Sequence, residues 1–89
     1  MGDIMSRARQ ITVRNTHRYV EIGLNVAYFR KLRNLTQEEL AEKVGISRSH
    51  LSAIEAPNII KTFSLELLFD LADALNIEPC KLMEFRNIN

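Results

Sequence analysis

The sequence contains no tryptophan, a single cysteine (Cys80) and only two prolines in 89 residues. One cysteine excludes a disulfide framework within the chain. With only His17 and His50 beside it, the usual zinc spacings are missing too, so no metal site is expected. No apolar run approaches the roughly 18 residues that cross a bilayer, and no signal-peptide pattern opens the sequence, so a cytoplasmic protein without a membrane partner is expected. The glycines at 2, 23 and 45 form no phosphate-cradling loop. Ser47 and His50 lie three apart with no third residue to complete a nucleophilic site, and the acidic residues are scattered. Catalysis and a cofactor are therefore not expected.

Net charge is small as well, at +1, but it is unevenly distributed. Residues 1–33 carry seven cations against two acids, whereas residues 34–89 carry five cations against nine acids. The basic third is either a phosphate footprint or a solvated, Arg-rich segment. Residues 1–18 are polar, without helical period, and read as a basic N-terminal arm. Within it, Gln10-Ile11-Thr12-Val13-Arg14 alternates polar with β-branched side chains, which predicts a short β-strand that would pair with its symmetry mate.

What is present in quantity is helical patterning, and hydrophobic residues make up 46% of the chain, enough for one small core. Residues 19–33 space Ile22, Val26, Phe29 and then Leu32 or Arg33 along one face, with Leu24, Ala27 and Tyr28 as a second apolar strip. Gly23 sits inside this helix, where it costs about 1 kcal/mol relative to alanine, and marks a point where another backbone can approach. Asn34 suits a left-handed helix end.

The stretch from Thr36 to Glu55 predicts two short helices joined by a tight turn. Thr36 and Glu39 have the spacing of a capping box, and Leu40, Ala41 and Val44 form one buried stripe. Gly45 permits the reversal, and Ser47 caps a second helix from Arg48 to Glu55 with Leu51 and Ile54 inward. Arg48, Ser49, Ser52 and Ala53 are left outward, a small polar face that can enter a groove. Pro57 ends this helix near Glu55. Thr62 or Ser64 then caps a fourth helix carrying Leu67, Leu68, Leu71 and Leu75, and Asn76 closes it. Pro79 opens a short fifth helix whose apolar residues, Leu82, Met83 and Phe85, are either a lid on the core or a dimer contact.

Leu35-Thr36-Gln37-Glu38-Glu39-Leu40-Ala41, Val44-Gly45-Ile46-Ser47, Leu51-Ser52 and Ile54-Glu55 together resemble the Cro/CI-type helix-turn-helix family of repressors. Leu71 to Ile77 is similar to that family's fourth helix and exit, so the resemblance runs from about Ile22 to Leu82. It implies an all-α, five-helix lambda-repressor-like DNA-binding domain over residues 19–89, after the arm of residues 1–18. It further implies a homodimer that binds an operator in double-stranded DNA, with the helix from Ser47 to Glu55 in the major groove and half-sites about one helical turn apart.

Residue by residue, Gln37 matches the family glutamine that contacts a phosphate and braces the reading helix. Ser47, Arg48, Ser49, Ser52 and Ala53 match the surface that reaches bases or flanking phosphates. Arg48 is the expected specificity residue, since a guanidinium can donate twice to guanine, with a phosphate contact as the alternative. His50 touches phosphate or packs beside the preceding helix. Arg30 and Glu55 match a structural ion pair joining the first helix to the end of the reading helix. Two departures stand out: Ala56-Pro57 replaces the family's polar-glycine pair, and the following loop is about two residues longer. That loop offers Asn58 and Lys61 to phosphates, yet also contains the apolar Ile59, Ile60 and Phe63.

The expected function is transcriptional regulation, more often repression than activation, acting in the cytoplasm at the nucleoid. The competing expectation is a protein-interaction module, such as an antitoxin-like subunit, that binds a partner protein through Leu24, Tyr28, Ile59, Ile60 and Phe85.

Overall fold

The computed structural model describes residues 11–85. Within them lie five helices and no strand: α1 (Val13–Leu32), α2 (Gln37–Val44), α3 (Arg48–Glu55), α4 (Leu65–Leu75) and α5 (Pro79–Leu82). The expected strand is corrected accordingly. Val13 and Arg14 are helical, and α1 begins well before Tyr19, while Gln10 lies outside the described residues. The reason is local. The Thr12 side chain accepts the Asn15 backbone N–H at 3.1 Å, and its carbonyl accepts Thr16 N–H at 2.9 Å. An N-cap satisfies donors inside the chain itself, whereas so short an alternating strand has no partner edge to bond. Arg14, His17 and Arg18 therefore ride on the first turns of α1.

The other helix starts follow the caps expected of them. Thr36 and Glu39 form the reciprocal capping box, at 3.0 Å and 2.8 Å. Ser47 accepts from His50 N–H at 3.0 Å, and Ser64, rather than Thr62, accepts from Leu67 N–H at 3.1 Å.

Three helix ends share one device. Asn34 (φ 59°), Gly45 (φ 76°) and Asn76 (φ 57°) adopt the left-handed conformation. The next residue's N–H then returns to an otherwise orphaned carbonyl: Leu35 to Arg30, Ile46 to Ala41 and Ile77 to Ala72, at 3.0 to 3.1 Å. These are Schellman ends, and in each the apolar residue after the left-handed one tucks against the core. The device turns the chain sharply without wasting a polar group, which is how α2 and α3 come to be so closely joined.

The core comprises Ile22, Val26, Leu40, Ala41, Leu51, Leu68, Leu71, Ala72, Leu75 and Leu82. It sits where α1 crosses α3, α4 and α5 while α2 packs on α3 and α4. Phe29 packs at its edge, but Leu32 is 54% exposed and takes no part. Arg33 points its guanidinium instead at the end of α4, donating to Leu75 O at 2.8 Å and Asn76 O at 3.3 Å. Gly23 meets the α3 backbone: a Cβ there would overlap the Ile54 carbonyl oxygen and stand only 3.5 Å from Glu55 Cα. The close backbone approach expected at this glycine is thus a contact with α3.

Candidate nucleic-acid interface

The α2–turn–α3 unit is held at one end and open at the other. At the held end, Glu55 is buried at the last residue of α3 and accepts from three donors. Arg30 Nε donates to Oε2 at 2.8 Å, Arg30 Nη2 donates to Oε1 at 2.9 Å, and Gln37 Nε2 donates to Oε1 at 2.9 Å. Arg30 is itself buried and uses Nη1 on Leu35 O at 2.8 Å. The two-pronged geometry matches guanidinium to carboxylate, and the third guanidinium nitrogen donates to a carbonyl, so the pair is well compensated where it is withdrawn from water. One carboxylate thereby ties α1, the first residue of α2 and the last residue of α3 together.

The open end carries the remaining surface. Ser47, Arg48, Ser49 and Ser52 are exposed on or just before α3, and Ala53 is half-buried on the next turn. Ser47 Oγ serves the helix cap and lies 3.3 Å from Ser49 Oγ, so part of its hydrogen-bonding capacity is spent within the motif. Arg48 bonds its side chain to no other described residue and is the cation at the head of this face. No acidic residue stands in the first turn of α3, so Arg48 and the helix dipole present the same sign to an approaching anion. A bare helix is about 10–12 Å across with its side chains, and the major groove of B-DNA is about 12 Å wide, so this small-residue face suits that groove.

Other expected site residues fall apart from α3. Asn58 and Lys61 are exposed in the 56–64 loop that leaves it, where Ala56 is already extended ahead of Pro57. The apolar residues of that loop divide. Phe63 packs at the core edge and meets Tyr19 edge-on, with ring centroids 5.5 Å apart, whereas Ile59 and Ile60 remain exposed. His50 is half-buried, and its Nε2 is shielded from water without a partner among the described residues, which fits packing better than display.

One buried polar group was not anticipated. Asn25 is 1% exposed between Ile22 and Val26, and its Nδ2 donates to Leu82 O at 2.9 Å and Glu84 O at 3.0 Å. The available signal was a lone amide within the apolar face of α1. Among the described residues no group of His, Cys, Asp and Glu is placed to hold a metal ion, and no helix is long and apolar enough to cross a membrane.

A family model described as helix-turn-helix matches residues 26–82. The chain belongs to that family. It is a Cro/CI-type helix-turn-helix protein and a DNA-binding transcriptional regulator. The control protein C.SmaI of Serratia marcescens is 37% identical over 59 residues, which cover 66% of this chain and 68% of C.SmaI. The uncharacterized HTH-type transcriptional regulator YazB of Bacillus subtilis is 42% identical over 60 residues, covering 67% of this chain and 84% of YazB. Among solved structures, the restriction-modification controller protein C.AhdI of Aeromonas hydrophila superposes with a TM-score of 0.66 at 34% identity, covering 72% of this chain and 94% of C.AhdI. These relatives belong to a family of DNA-binding regulators rather than of enzymes, and they do not favour the interaction-module reading.

Proposed function

We propose that this helix-turn-helix regulator represses transcription as a homodimer, each α3 lying in the major groove of one operator half-site. The observation that carries the reading is the asymmetry of α3. Its last residue is locked to α1 and α2 through Glu55, while Arg48, Ser49 and Ser52 stand exposed at its start. A reading helix needs both properties, since a loosely held one would lose discrimination to its own motion. Arg48 reads a base, with guanine the natural partner, and Ser47, Ser49, Ser52 and Ala53 fit the groove around it. Gln37 is half-buried with one N–H on Glu55, and its remaining amide capacity serves a phosphate. Asn58 and Lys61 add phosphate contacts beyond α3, and Arg14 adds charge from the start of α1.

The C-terminal helices supply the dimer contact. The alternative through a paired strand loses its basis because Val13 and Arg14 are helical. A groove of about 400 Å³ lies between α1, the start of α4 and the segment that follows α5, lined by Tyr19, Ile22, Phe63, Leu65, Met83 and Phe85. Leu65 is 65% exposed, and Phe69, one turn along α4, is exposed as well. A symmetric partner would cover this apolar surface, and two small domains joined there place two reading helices on one duplex face. Likeness to two controller proteins supports control of transcription as the activity, exercised on DNA in the cytoplasm.

The test is selection of bound duplexes from a random pool, followed by Arg48→Ala on the selected site. Loss of affinity with relaxed preference at one base position, worth about 1 to 3 kcal/mol, is expected. Equal losses on selected and random DNA would refute base reading by Arg48. A flat dependence of log K on log salt would instead count against DNA as the partner.

A further inference from the structure

Asn25 is a buried amide that neither the reading face nor the Arg30–Glu55 pair uses. Its Nδ2 holds two carbonyls on alternate residues, Leu82 O at 2.9 Å and Glu84 O at 3.0 Å. The residues that interleave with them, Met83 and Phe85, are exposed and line the groove beside Phe63 and Leu65. α5 ends at Leu82, so residues 83–85 follow its last turn, where the chain has few helical bonds to hold it. The Asn25 side chain on α1 therefore adds a polar anchor, beside the buried Leu82, to the segment that presents two of the groove's apolar residues. The same helix is fastened to α3 at two points: Gly23 lies against the Ile54 carbonyl, and Arg30 grips Glu55.

We propose that Asn25 is a positioning residue that sets the distance and rotation between the two reading helices of the dimer, and so the half-site spacing the protein accepts. This rests on the dimer through α4 and α5 proposed above. α1 is the rigid member common to both contacts, reaching α3 through Gly23 and Arg30 and the dimer face through Asn25. Spacing is a demanding quantity, because one added base pair turns the second half-site by about 34° around the duplex. Only a dimer face of fixed orientation can penalise that rotation. An apolar or truncated residue at 25 would leave the Leu82 and Glu84 carbonyls without this donor and let Met83 and Phe85 shift relative to α1.

The experiment uses duplexes selected from a random pool by the unaltered protein. They are prepared as a single half-site, as the full site, and as full sites with one or two base pairs added or removed between the halves. The unaltered protein should prefer its native spacing by about tenfold over a one-base-pair change. Asn25→Ala should keep single-half-site affinity within about threefold, lose about tenfold on the full site, and compress the spacing penalty to about threefold or less. An unchanged spacing profile, or equal proportional losses on half-site and full site, would overturn the proposal and leave Asn25 as a fold-stabilising residue. Should Asn25→Ala not fold, Asn25→Ser, which retains one donor, is read on the same duplexes with the same deciding outcomes and an intermediate profile expected. Met83→Ala with Phe85→Ala separates the two layers of the argument. If the unaltered protein gains nothing from a second half-site and this double variant matches it, the α5 dimer itself fails, and the role of Asn25 falls with it. If the double variant loses full-site affinity while Asn25→Ala and Asn25→Ser do not, the dimer stands and only the Asn25 proposal is overturned.

Discussion

Replacing Glu55 by alanine should destabilise the domain far more than a surface change. The variant removes both bonds to Arg30 and the bond to Gln37, and leaves Arg30, whose side chain is only 11% exposed, with Leu35 O as its remaining partner. Stranding one member of a buried pair costs about 3 to 5 kcal/mol, because the lost attraction no longer offsets the charge's desolvation. A domain of this length has a total stability of roughly 4 to 13 kcal/mol at about 0.05–0.15 kcal/mol per residue, so the variant is brought close to unfolding. At about 4 °C or more per kcal/mol, the expected fall in melting temperature is at least about 12 °C, measured by circular dichroism. Arg30→Met combined with Glu55→Leu removes both charges and should recover much of the loss, since apolar replacement of a whole buried pair is often neutral or stabilising. The double-mutant cycle should therefore give a large coupling, whereas additive losses would mean the two residues act independently. A melting temperature for Glu55→Ala within about 2 °C of the parent would refute the reasoning.

The remaining expectations follow from single contacts. Gly23→Ala should destabilise by about 1 to 3 kcal/mol or prevent folding, because the new methyl meets the Ile54 carbonyl, a backbone atom that no rotamer change can move; a melting temperature at or above the parent's would contradict this crossing. Arg14→Ala should weaken binding evenly on selected and random duplexes and lower the slope of log K against log salt by about one, and an altered base preference would show that Arg14 does more than neutralise phosphate. Arg48→Ala should differ in kind, relaxing one base position on the selected duplex, as a base-by-base affinity profile would detect.

Much of the fold was legible because its signals are short-range. Thr36, Ser47 and Ser64 cap donors three residues ahead, and Asn34, Gly45 and Asn76 end helices by their own backbone conformation, so each can be read from a few neighbouring letters. The same locality explains the failure at residues 10–14. A short alternation of β-branched residues looked like a strand, but Thr12 is also a good N-cap, and a cap completed within the chain prevailed over a strand with nothing to pair with. The α3 surface was legible for a related reason, since helical spacing alone separates Arg48, Ser49 and Ser52 from Leu51 and Ile54. The pairing of Arg30 with Glu55 entered only through family resemblance; nothing in their spacing would have joined them.

Sequence by itself determined the number and order of the helices after the first turns, the tight α2–α3 joint and the composition of the exposed face of α3. Tertiary structure alone decided which long-range contact each remaining side chain makes. Gly23 meets α3 rather than another helix, Phe63 is taken into the core edge while Ile59 and Ile60 are left out, and Arg33 closes the end of α4 instead of facing the core. Asn25 is the sharpest instance, because its partners lie 57 and 59 residues away and are backbone carbonyls, which every residue possesses and no sequence pattern marks. Caps and turns are determined by adjacent residues, whereas the partner of a buried amide exists only once helices distant along the chain have packed together.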